Sequence, residues 1–414
     1  MTARTRFAAA ARARSGQVVA IAQTLIAIAS PNPPGDVRAA AEGAASLIAE
    51  LVPGAEVTLH PTSAEVTNLV ARIHGAGAGR RVVFNGHLDT YPVNEALPWT
   101  VPPLGGLIRD GRLYGRGAAD MKGGIAASLL ALALLAEHRA DWNGEAVLTL
   151  AGDEESMGVL GTSWLLDNIP HARGDAVIIG DAGSPRVLRF GEKGFWWVEI
   201  EARGRAAHGA HVHLGENALD RLSVALEALR GLRRLPVAAP AAVTAAIAAS
   251  RPISEPLCGA GEAEVLGSVT VNIGQVSGGQ APNLVPGFAS AAADIRLPVG
   301  VSGEALGAAL AAALDTLPGI IWRAIRKFEP NHTDPGAPLI TTMHRVAEEV
   351  LAAPVAVNMR VGGSDARWFR MAGLPTAVYG PTPFNMGGAD EYVLVEELAA
   401  VMQVHALTGF DLLR

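Results

Sequence analysis

Acidic side chains and one histidine occur where the sequence predicts that strands end. His87 stands two residues before Asp89, and in an extended segment both side chains point the same way. Residues 153–155 read Asp-Glu-Glu and come directly after an apolar run. Holding such carboxylates together without a cation is costly, because like charges at contact distance resist joint ionisation.

Two further carboxylates stand at comparable places. Asp120 lies in the glycine-rich segment 114–124, which opens an apolar helix, and Asp181 follows the strand-like run 176–179. Each acidic residue alone would favour a solvated turn. Because three strand ends and a helix-opening loop share the feature, the pattern favours a metal site.

The elements that must position these residues alternate between strands and helices from residue 57 to 188. The runs 82–84, 146–150 and 176–179 are predicted strands. The apolar run 124–136 is shorter than the ~20 residues that a membrane span needs, so we predict a buried helix. Apolar strands separated by helices indicate an α/β sheet covered on both faces, with sites beyond the carboxyl ends of its strands.

The pattern changes at about Lys193, and the predicted order of elements becomes β-α-β-β-α-β. The runs are 195–202, 217–232, 264–273, 289–297, 303–314 and 320–327, interrupted by an Ala/Pro-rich surface insertion at 237–254. We therefore predict an α/β protein whose catalytic domain, residues 1–191 and 329–414, holds a mixed, mostly parallel sheet between helices. An α+β lid or dimerisation domain, residues 192–328, is inserted into it.

Composition excludes several classes of function. The 414 residues are enough for two domains, and 50% hydrophobic with 18% charged residues is typical of a folded protein. A net charge of −7 without a Lys/Arg run argues against nucleic acid as a partner. Cys258 is the only cysteine, which excludes thiolate metal clusters and suits a reducing compartment.

The amino-terminal residues superficially resemble a signal peptide, because four arginines precede the apolar stretch 18–28. Gln23 interrupts that stretch, and the arginines and the apolar residues read as one continuous helix that stops at 30–35. We therefore predict a cytoplasmic protein that does not enter a membrane.

The blocks 87–90 (His-Leu-Asp-Thr), 117–124 and 153–155 resemble the signature blocks of the M20 metallopeptidase family. That family includes acetylornithine deacetylase, succinyl-diaminopimelate desuccinylase, glutamate carboxypeptidase and the aminoacylases. The resemblance runs from about Leu25 to the last helix. It implies a metal-dependent hydrolase that cleaves a C–N (amide) bond in a small carboxylate-bearing substrate, and a homodimer or larger homo-oligomer formed through the lid.

The resemblance also implies roles at matching positions. One His among oxygen ligands tolerates Zn²⁺, Mn²⁺ or Co²⁺. The implied roles are His87 and Asp181 as ligands of a first metal, Asp120 as a bridge, Glu155 as a ligand of a second metal, Glu154 as general base, and Asp89 as the group that orients His87.

In the inserted domain, His208 resembles the lid histidine that reaches across a dimer and stabilises an oxyanion. Arg296 could bind a substrate carboxylate or be an ordinary charge at a strand end, and the sequence supports both equally. Arg360 and Arg367 cannot be ranked against each other. The candidate substrate contacts are Asn283, Arg296, Arg360, Arg367 and Asn385.

One departure from the family pattern concerns the second metal. The family has a His three residues before an Asp-Glu pair, and Gly387 stands at that position. Either one metal works alone, or Asn385 or a water replaces the imidazole, or the chain is a catalytically weakened homologue. We favour one tightly bound ion per chain. The open space could also admit an aromatic, aminobenzoate-like substrate, with hydrolytic deamination as an alternative reaction.

Overall fold

The structure is a computed structural model that describes residues 1–94 and 96–414. Its α-helices alternate with strands over most of the chain. In chain order they are α1 (Ala3–Arg14), α2 (Gln17–Ile26), α3 (Arg38–Leu51), α4 (Gly123–Glu137), α5 (Trp164–Asn168), α6 (Ala218–Gly231), α7 (Ala241–Cys258), α8 (Glu262–Leu266), α9 (Gly303–Leu314), α10 (Pro338–Leu351), α11 (Ala366–Met371) and α12 (Val395–Leu413).

The strands are mostly short, and the longest belong to the middle of the chain. In chain order they are β1 (Glu56–Pro61), β2 (Thr67–His74), β3 (Arg81–His87), β4 (Leu107–Arg109), β5 (Arg112–Tyr114), β6 (Glu145–Ala151), β7 (Ala176–Ile179), β8 (Val187–Glu192), β9 (Gly194–Arg203), β10 (Ala207–His208), β11 (Thr270–Gly278), β12 (Leu284–Val285), β13 (Phe288–Leu297), β14 (Ile320–Phe328), β15 (Asn331–His332), β16 (Ala356–Arg360), β17 (Thr376–Val378) and β18 (Tyr392–Leu394).

The chain divides into two compact units. The first contains Met1–Phe190, Thr333–Asn358 and Ser364–Arg414, and the second contains Gly191–His332 and Met359–Gly363. The second unit begins beside the predicted boundary at 192. It also takes the segment 359–363, which the sequence prediction assigns to the first domain, so Arg360 belongs to the second unit.

A mixed sheet forms the centre of the first unit, in the strand order β1-β2-β6-β3-β7-β17-β8. The central neighbours β6, β3, β7 and β17 run parallel, while β1, β2 and β8 are antiparallel to their neighbours. The predicted α/β class with a covered, largely parallel central sheet is therefore confirmed.

The register of the parallel strands brings the chemically important residues to one edge of the sheet. His87 pairs with Ala151 at the end of β6, so the acidic residues 153–155 follow directly beside it. Asn85 pairs with Ile179 at the end of β7, and two residues further along both strands His87 comes level with Asp181. The sheet thus sets the spacing of the candidate ligands.

Helix α4 is buried along almost its whole length, as the sequence predicts. The stretch Ala118–Glu137 is long and apolar enough to cross a membrane, but 94% of its most apolar window is buried inside the protein, as in a core helix. Its first turn lies so close to the end of β7 that a Cβ on Gly124 would stand 1.9 Å from the carbonyl oxygen of Gly180. Only glycine permits that approach.

The neighbouring helix α12 carries a histidine that is fully buried. His405 Nε2 lies 2.8 Å from the carbonyl oxygen of Tyr379, and Nδ1 lies 3.1 Å from the Ser128 hydroxyl of α4. A neutral imidazole satisfies both contacts, since Nε2–H donates to the carbonyl and Nδ1 accepts from the hydroxyl. Burial lowers the pKa of His405 to about 4 and outweighs the opposite effect of the Tyr379 carbonyl.

The second unit is an antiparallel sheet in the order β11-β13-β9-β14, with a core that also includes α6 and α9. Residues of β9 and β13 alternate, so that Val198, Ile200 and Ile295 are buried in this core. The short strands β10 and β12 form a separate antiparallel pair.

Two predicted elements were wrong in detail, and a third region has a secondary structure that the sequence did not predict. The amino-terminal region forms α1 and α2, because the Ser15 hydroxyl binds the Arg12 carbonyl and Gly16 favours a break in the helix. The predicted insertion 237–254 contains most of helix α7, whose buried Val243 and Ile247 lie one turn apart. Residues 262–266 form α8 and not the start of a strand, so β11 begins only at Thr270.

The burial of neutral His405 predicts a loss of stability at acidic pH. Since its pKa is depressed in the folded state, the unfolded chain binds the extra proton between about pH 6.5 and 4, and stability falls as pH decreases through that range. We expect this group to contribute about 2 kcal/mol to the loss of unfolding free energy between pH 7.5 and 5. Urea unfolding of the wild type and His405→Gln, both in chelator, measures it.

His344→Gln is the matched control, because that side chain lies on the partly exposed face of α10. The control should keep the pH dependence of the wild type, and His405→Gln should have a smaller one. An unchanged pH dependence in His405→Gln would contradict the assignment of a neutral buried imidazole.

Candidate metal centre

Three ligand-type side chains converge at the carboxyl edge of the central sheet. His87 and Asp181 come from the ends of β3 and β7, and Asp120 comes from the irregular turn 118–122 that precedes α4. One ligand atom from each lies within 4.8 Å of the other two. The structure therefore brings together the three residues that the sequence predicts for the first metal and the bridge.

The His87 ring is oriented to present Nε2 to this cluster. Its Nδ1 lies 2.9 Å from the backbone carbonyl of Asp89, and Nε2 lies 3.0 Å from Oδ1 of Asp120. If Nδ1–H donates to the carbonyl, the lone pair of Nε2 faces Asp120, as in metal-binding histidines. Burial lowers the pKa of His87, but the hydrogen bonds and charges of Asp120 and Asp89 outweigh it and raise the pKa well above its usual value.

The Asp89 carboxylate contacts more than the imidazole. Its Oδ1 lies 3.4 Å from Nδ1 of His87. It also accepts the backbone N–H groups of Glu154 at 3.2 Å and Glu155 at 3.0 Å, and the side-chain amide of Asn32 at 2.9 Å. This buried carboxylate therefore orients the turn that carries the two glutamates as well as the histidine.

Glu155 supplies the clearest indication that a cation belongs here. Its Oε1 is buried and has no hydrogen-bond partner. Burial, followed by the Asp120 charge, raises the pKa of Glu155 to about 9. A divalent cation would satisfy the buried oxygen and relieve the repulsion from Asp120, so the donor set fits a metal of the Zn²⁺, Mn²⁺ or Co²⁺ kind.

Glu154 is held by an arginine. Its Oε1 lies 3.3 Å from Nη1 of Arg367, whose side chain is only 3% exposed. Burial raises the pKa of Glu154 to about 7, even though the Arg367 charge lowers it. Arg367, a predicted substrate contact, therefore contacts Glu154, the predicted base. Beside them, buried Asp365 accepts a hydrogen bond from Thr162 at 2.8 Å.

A buried ion pair fixes the loop that carries Asp120. Arg116 and Glu391 form a salt bridge with side-chain exposures of 2% and 1%. Oε1 of Glu391 also accepts the backbone N–H of Ala119 at 3.0 Å. Arg116 in turn donates to the carbonyl oxygens of Gly387 and Gly388, each at 3.0 Å. The pair therefore ties the Asp120 loop to the segment in which the family's histidine is missing.

The contacts of Asn385 do not favour a role as metal ligand. Its side chain is exposed, and its amide donates to the carbonyl of Asp390 at 3.3 Å. Gly387 has a φ of +74°, and a Cβ there would lie 3.7 Å from the Tyr91 ring. An aromatic side chain thus occupies the space beside the position of the missing imidazole.

In the second unit, His208 and Asn283 lie together. His208 is in β10, which pairs with β12, and the carbonyl of Asn283 accepts the Gly209 N–H at 2.7 Å. The His208 ring is exposed, and its Nδ1 accepts the Ala210 N–H at 3.1 Å. That contact leaves the ring proton on Nε2 in the neutral imidazole.

The two other predicted contacts of the second unit have protein neighbours. Arg296 donates to Oδ2 of Asp294 from Nε and Nη2, at 3.0 and 2.9 Å, and lies 4.8 Å from the Phe195 ring centroid. Arg360 ends β16, and its carbonyl accepts the Lys193 N–H at 3.1 Å. The role of each arginine stays a prediction.

Sequence reasoning missed four residues around the centre: Asn32, Tyr91, Arg116 and Glu391. Arg116 stands between two glycines of the segment 114–124, and Glu391 belongs to the Asp-Glu pair that follows Gly387, so a charged residue within each of these segments was the available signal. Asn32 and Tyr91 act through contacts between segments far apart in the chain, which spacing alone does not reveal.

The chain is similar to known proteins over most of its length. The family model described as Peptidase family M20/M25/M40 matches residues 83–409. The succinyl-diaminopimelate desuccinylase of Methylorubrum populi is 33% identical over 357 residues, covering 82% of this chain and 84% of that protein.

Two solved structures share the fold. An M20 family metallo-carboxypeptidase from Sulfolobus solfataricus has a TM-score of 0.75 at 18% identity, covering 95% of this chain and 98% of that one. The YXEP protein of Bacillus subtilis, described as a dinuclear metal binding peptidase from the M20 family, has a TM-score of 0.67 at 13% identity, covering 97% and 99%.

Removing one partner of the buried ion pair should destabilise the protein strongly. Arg116→Met leaves the Glu391 carboxylate buried without its cation, and we expect a loss of about 3–5 kcal/mol of unfolding free energy. The double variant with Glu391→Gln should recover part of that loss, because no unpaired charge remains. Urea unfolding of the single and double variants measures the coupling.

The control is Arg112→Met in β5, four residues before Arg116, where the side chain is exposed and lies over the Tyr392 ring. Its effect should stay within about 1 kcal/mol. Equal unfolding midpoints for Arg116→Met and Arg112→Met would show that the buried pair does not carry the loop.

Proposed function

The chain belongs to peptidase family M20/M25/M40, and from this we propose that it hydrolyses the amide bond of a small N-acyl amino acid that carries a carboxylate. The family makes the protein a metal-dependent amidohydrolase of acylated amino acids or dipeptides. The finer part of the proposal is the acyl class: because the desuccinylase of Methylorubrum populi covers most of the chain, N-succinyl amino acids are the first substrates to test.

The observation that carries the proposal is the cluster of buried His87 and Asp181 with partly buried Asp120, beside Glu154. A carboxylate-rich metal site with an adjacent base is what water-dependent amide cleavage requires. The family and its relatives favour neither a hydrolytic deaminase of aromatic acids nor a catalytically weakened homologue.

The residues that would hold the metal are His87, Asp120 and Asp181, with Glu155 toward a second position. A divalent ion there would supply Lewis acidity, which polarises a carbonyl oxygen and makes a water molecule more acidic.

Glu154 moves the protons of the reaction. Arg367 contacts its Oε1, which leaves Oε2 to accept a proton from the attacking water. As the water oxygen bonds to the acyl carbon and the C–N bond breaks, the same carboxyl group delivers that proton to the leaving nitrogen. A pKa of about 7 suits both halves of this transfer.

His208 is proposed to donate a hydrogen bond to the oxyanion. Its Nδ1 accepts the Ala210 N–H, so the neutral ring carries its proton on Nε2 and can donate from there. Asn283 and Arg296 are proposed substrate contacts of the same unit. Arg296 would use the guanidinium N–H groups that do not donate to Asp294. Arg360 and Asn385 remain weaker candidates.

We also propose a homodimer formed through the second unit. The exposed face of its sheet presents Phe288, Ile321 and Ile325, which are 52%, 49% and 46% exposed. Apolar side chains on one exposed face are typical of an interaction surface. Sedimentation as a monomer at micromolar concentration would contradict this part. A cytoplasmic location belongs to the proposal, because the single exposed cysteine, Cys258, suits a reducing compartment.

Replacing the proposed base should abolish turnover while metal binding survives. Glu154→Gln keeps the size and the contact with Arg367 but cannot accept the proton, so we expect kcat to fall by about 10²-fold or more. The assay follows amine released from N-succinyl and N-acetyl amino acids, dipeptides and aminobenzoates, with added Zn²⁺, Mn²⁺ or Co²⁺.

Glu348→Gln, on the exposed side of α10, is the control and should keep the activity of the wild type. Near-normal kcat in metal-replete Glu154→Gln would refute the base assignment. Turnover of aminobenzoates without turnover of acyl amino acids would refute the substrate class.

The metal content should be about one tightly held ion per chain after dialysis, because the second position lacks a neutral imidazole donor. Gly387→His should raise the content toward two ions. Gly387→Ala is the control, since it carries the same backbone strain at φ +74° without a ligand. Elemental analysis that finds two tightly bound ions in the unmodified protein would contradict the one-metal proposal.

A further inference from the structure

This chain has Gly387 where the family has a histidine, and the Tyr91 ring lies beside that position. Gly387 lies in the segment that Arg116 holds through the carbonyls of residues 387 and 388. A side chain built on Gly387 would begin 3.7 to 3.9 Å from the Tyr91 ring. The ring is therefore in van der Waals reach of the position from which the imidazole would project.

Tyr91 lies at the same edge of the sheet as the carboxylates that remain at the second metal position. It follows His87 by four residues, in the segment that leaves β3 at the edge of the sheet. The Glu155 charge, then burial, then Asp120 raise the pKa of Tyr91 to about 12. The phenol thus lies in the field of the same two carboxylates that would bind a second ion.

From this placement we propose that the phenol oxygen of Tyr91 takes the place of the missing imidazole, as the protein ligand of a second, weakly held divalent cation beside Asp120 and Glu155. The inference deepens the proposed metal centre and rests on it. The ion would bind the phenolate, and the phenolic proton would pass to solvent.

The chemistry explains why this second ion would be held weakly. An imidazole is largely a neutral donor at pH 7, but a phenol must first lose a proton, and the neighbouring carboxylates oppose that loss until a cation arrives. Two carboxylates and one oxygen donor also form a set that Mn²⁺ or Co²⁺ accepts. Asn385 is not favoured for the role, since its amide binds the Asp390 carbonyl.

The test titrates Co²⁺ into dialysed protein by calorimetry, without substrate. In Tyr91→Phe we expect the first equivalent to bind as in the wild type and the second to weaken by about tenfold or more, the scale of a supporting ligand group. A parallel titration with Cu²⁺ follows visible absorbance, where phenolate bound to the ion gives a charge-transfer band that Tyr91→Phe lacks.

Two variants complete the test. Tyr392→Phe removes a phenol oxygen from a tyrosine that stacks on Phe384, and it should behave as the wild type in both titrations. Tyr91→Phe combined with Gly387→His should regain the second equivalent without the visible band. The exposed His211 and His213 are present in every variant, so any ion they bind cancels in the comparison.

An unchanged second equivalent in Tyr91→Phe, or a visible band that survives it, would overturn the proposal. Because no substrate enters these titrations, they are independent of the hydrolytic assay. A protein that binds metal as expected but does not cleave acyl amino acids would refute the proposed function and leave the Tyr91 assignment intact.

Discussion

The mutual repulsion of buried carboxylates at one edge of a parallel sheet is the constraint on which this structure depends. Asp120 and Asp181 approach each other around His87, and burial, followed by the Asp120 charge, raises the pKa of nearby Glu155 to about 9. Keeping that group ionised at pH 7 without a cation costs free energy, because its pKa lies above that pH. A divalent ion bound there would remove this cost and displace the proton, which would couple metal binding to protonation and local stability.

Two buried arginines near the metal centre bind carboxylates outside the cluster of His87, Asp120 and Asp181. Arg116 binds Glu391, which organises backbone N–H groups of the Asp120 loop, and Arg367 contacts Glu154, the proposed base. Each arginine thereby stabilises a carboxylate with a supporting or proton-transfer role. The carboxylates of the ligand set keep a negative field, which is what attracts a divalent ion.

The candidate metal ligands could be predicted from the sequence because the patterns that indicate them are local. Strand ends, the apolar run of α4 and the acidic residues after β3, β6 and β7 follow from patterns of hydrophobicity and charge. The parallel register then brings His87 level with Asp181 without further assumptions. The split of the amino-terminal helices and the helical character of 241–258 depended on side-chain competition and burial, which composition does not reveal.

Contacts between distant segments could not be predicted from the sequence, and the reason is physical. The pairing of Arg116 with Glu391 and the approach of Tyr91 to Gly387 join segments whose separation along the chain carries no periodic signal. From the sequence, Gly387 shows that the family's imidazole ligand is missing. Only the folded structure shows that the Tyr91 side chain lies beside that position.

Adjacent residues can serve as base and ligand because a single group holds their backbone. Asp89 accepts the N–H groups of both Glu154 and Glu155, so the two carboxylates leave the same turn and meet different partners. Glu154 goes to Arg367 and Glu155 keeps a buried oxygen without a hydrogen bond. The contacts of Asp89 and Arg367 with this turn do not involve Gly387, so the proposed one-metal site is compatible with Glu154 as the proposed base.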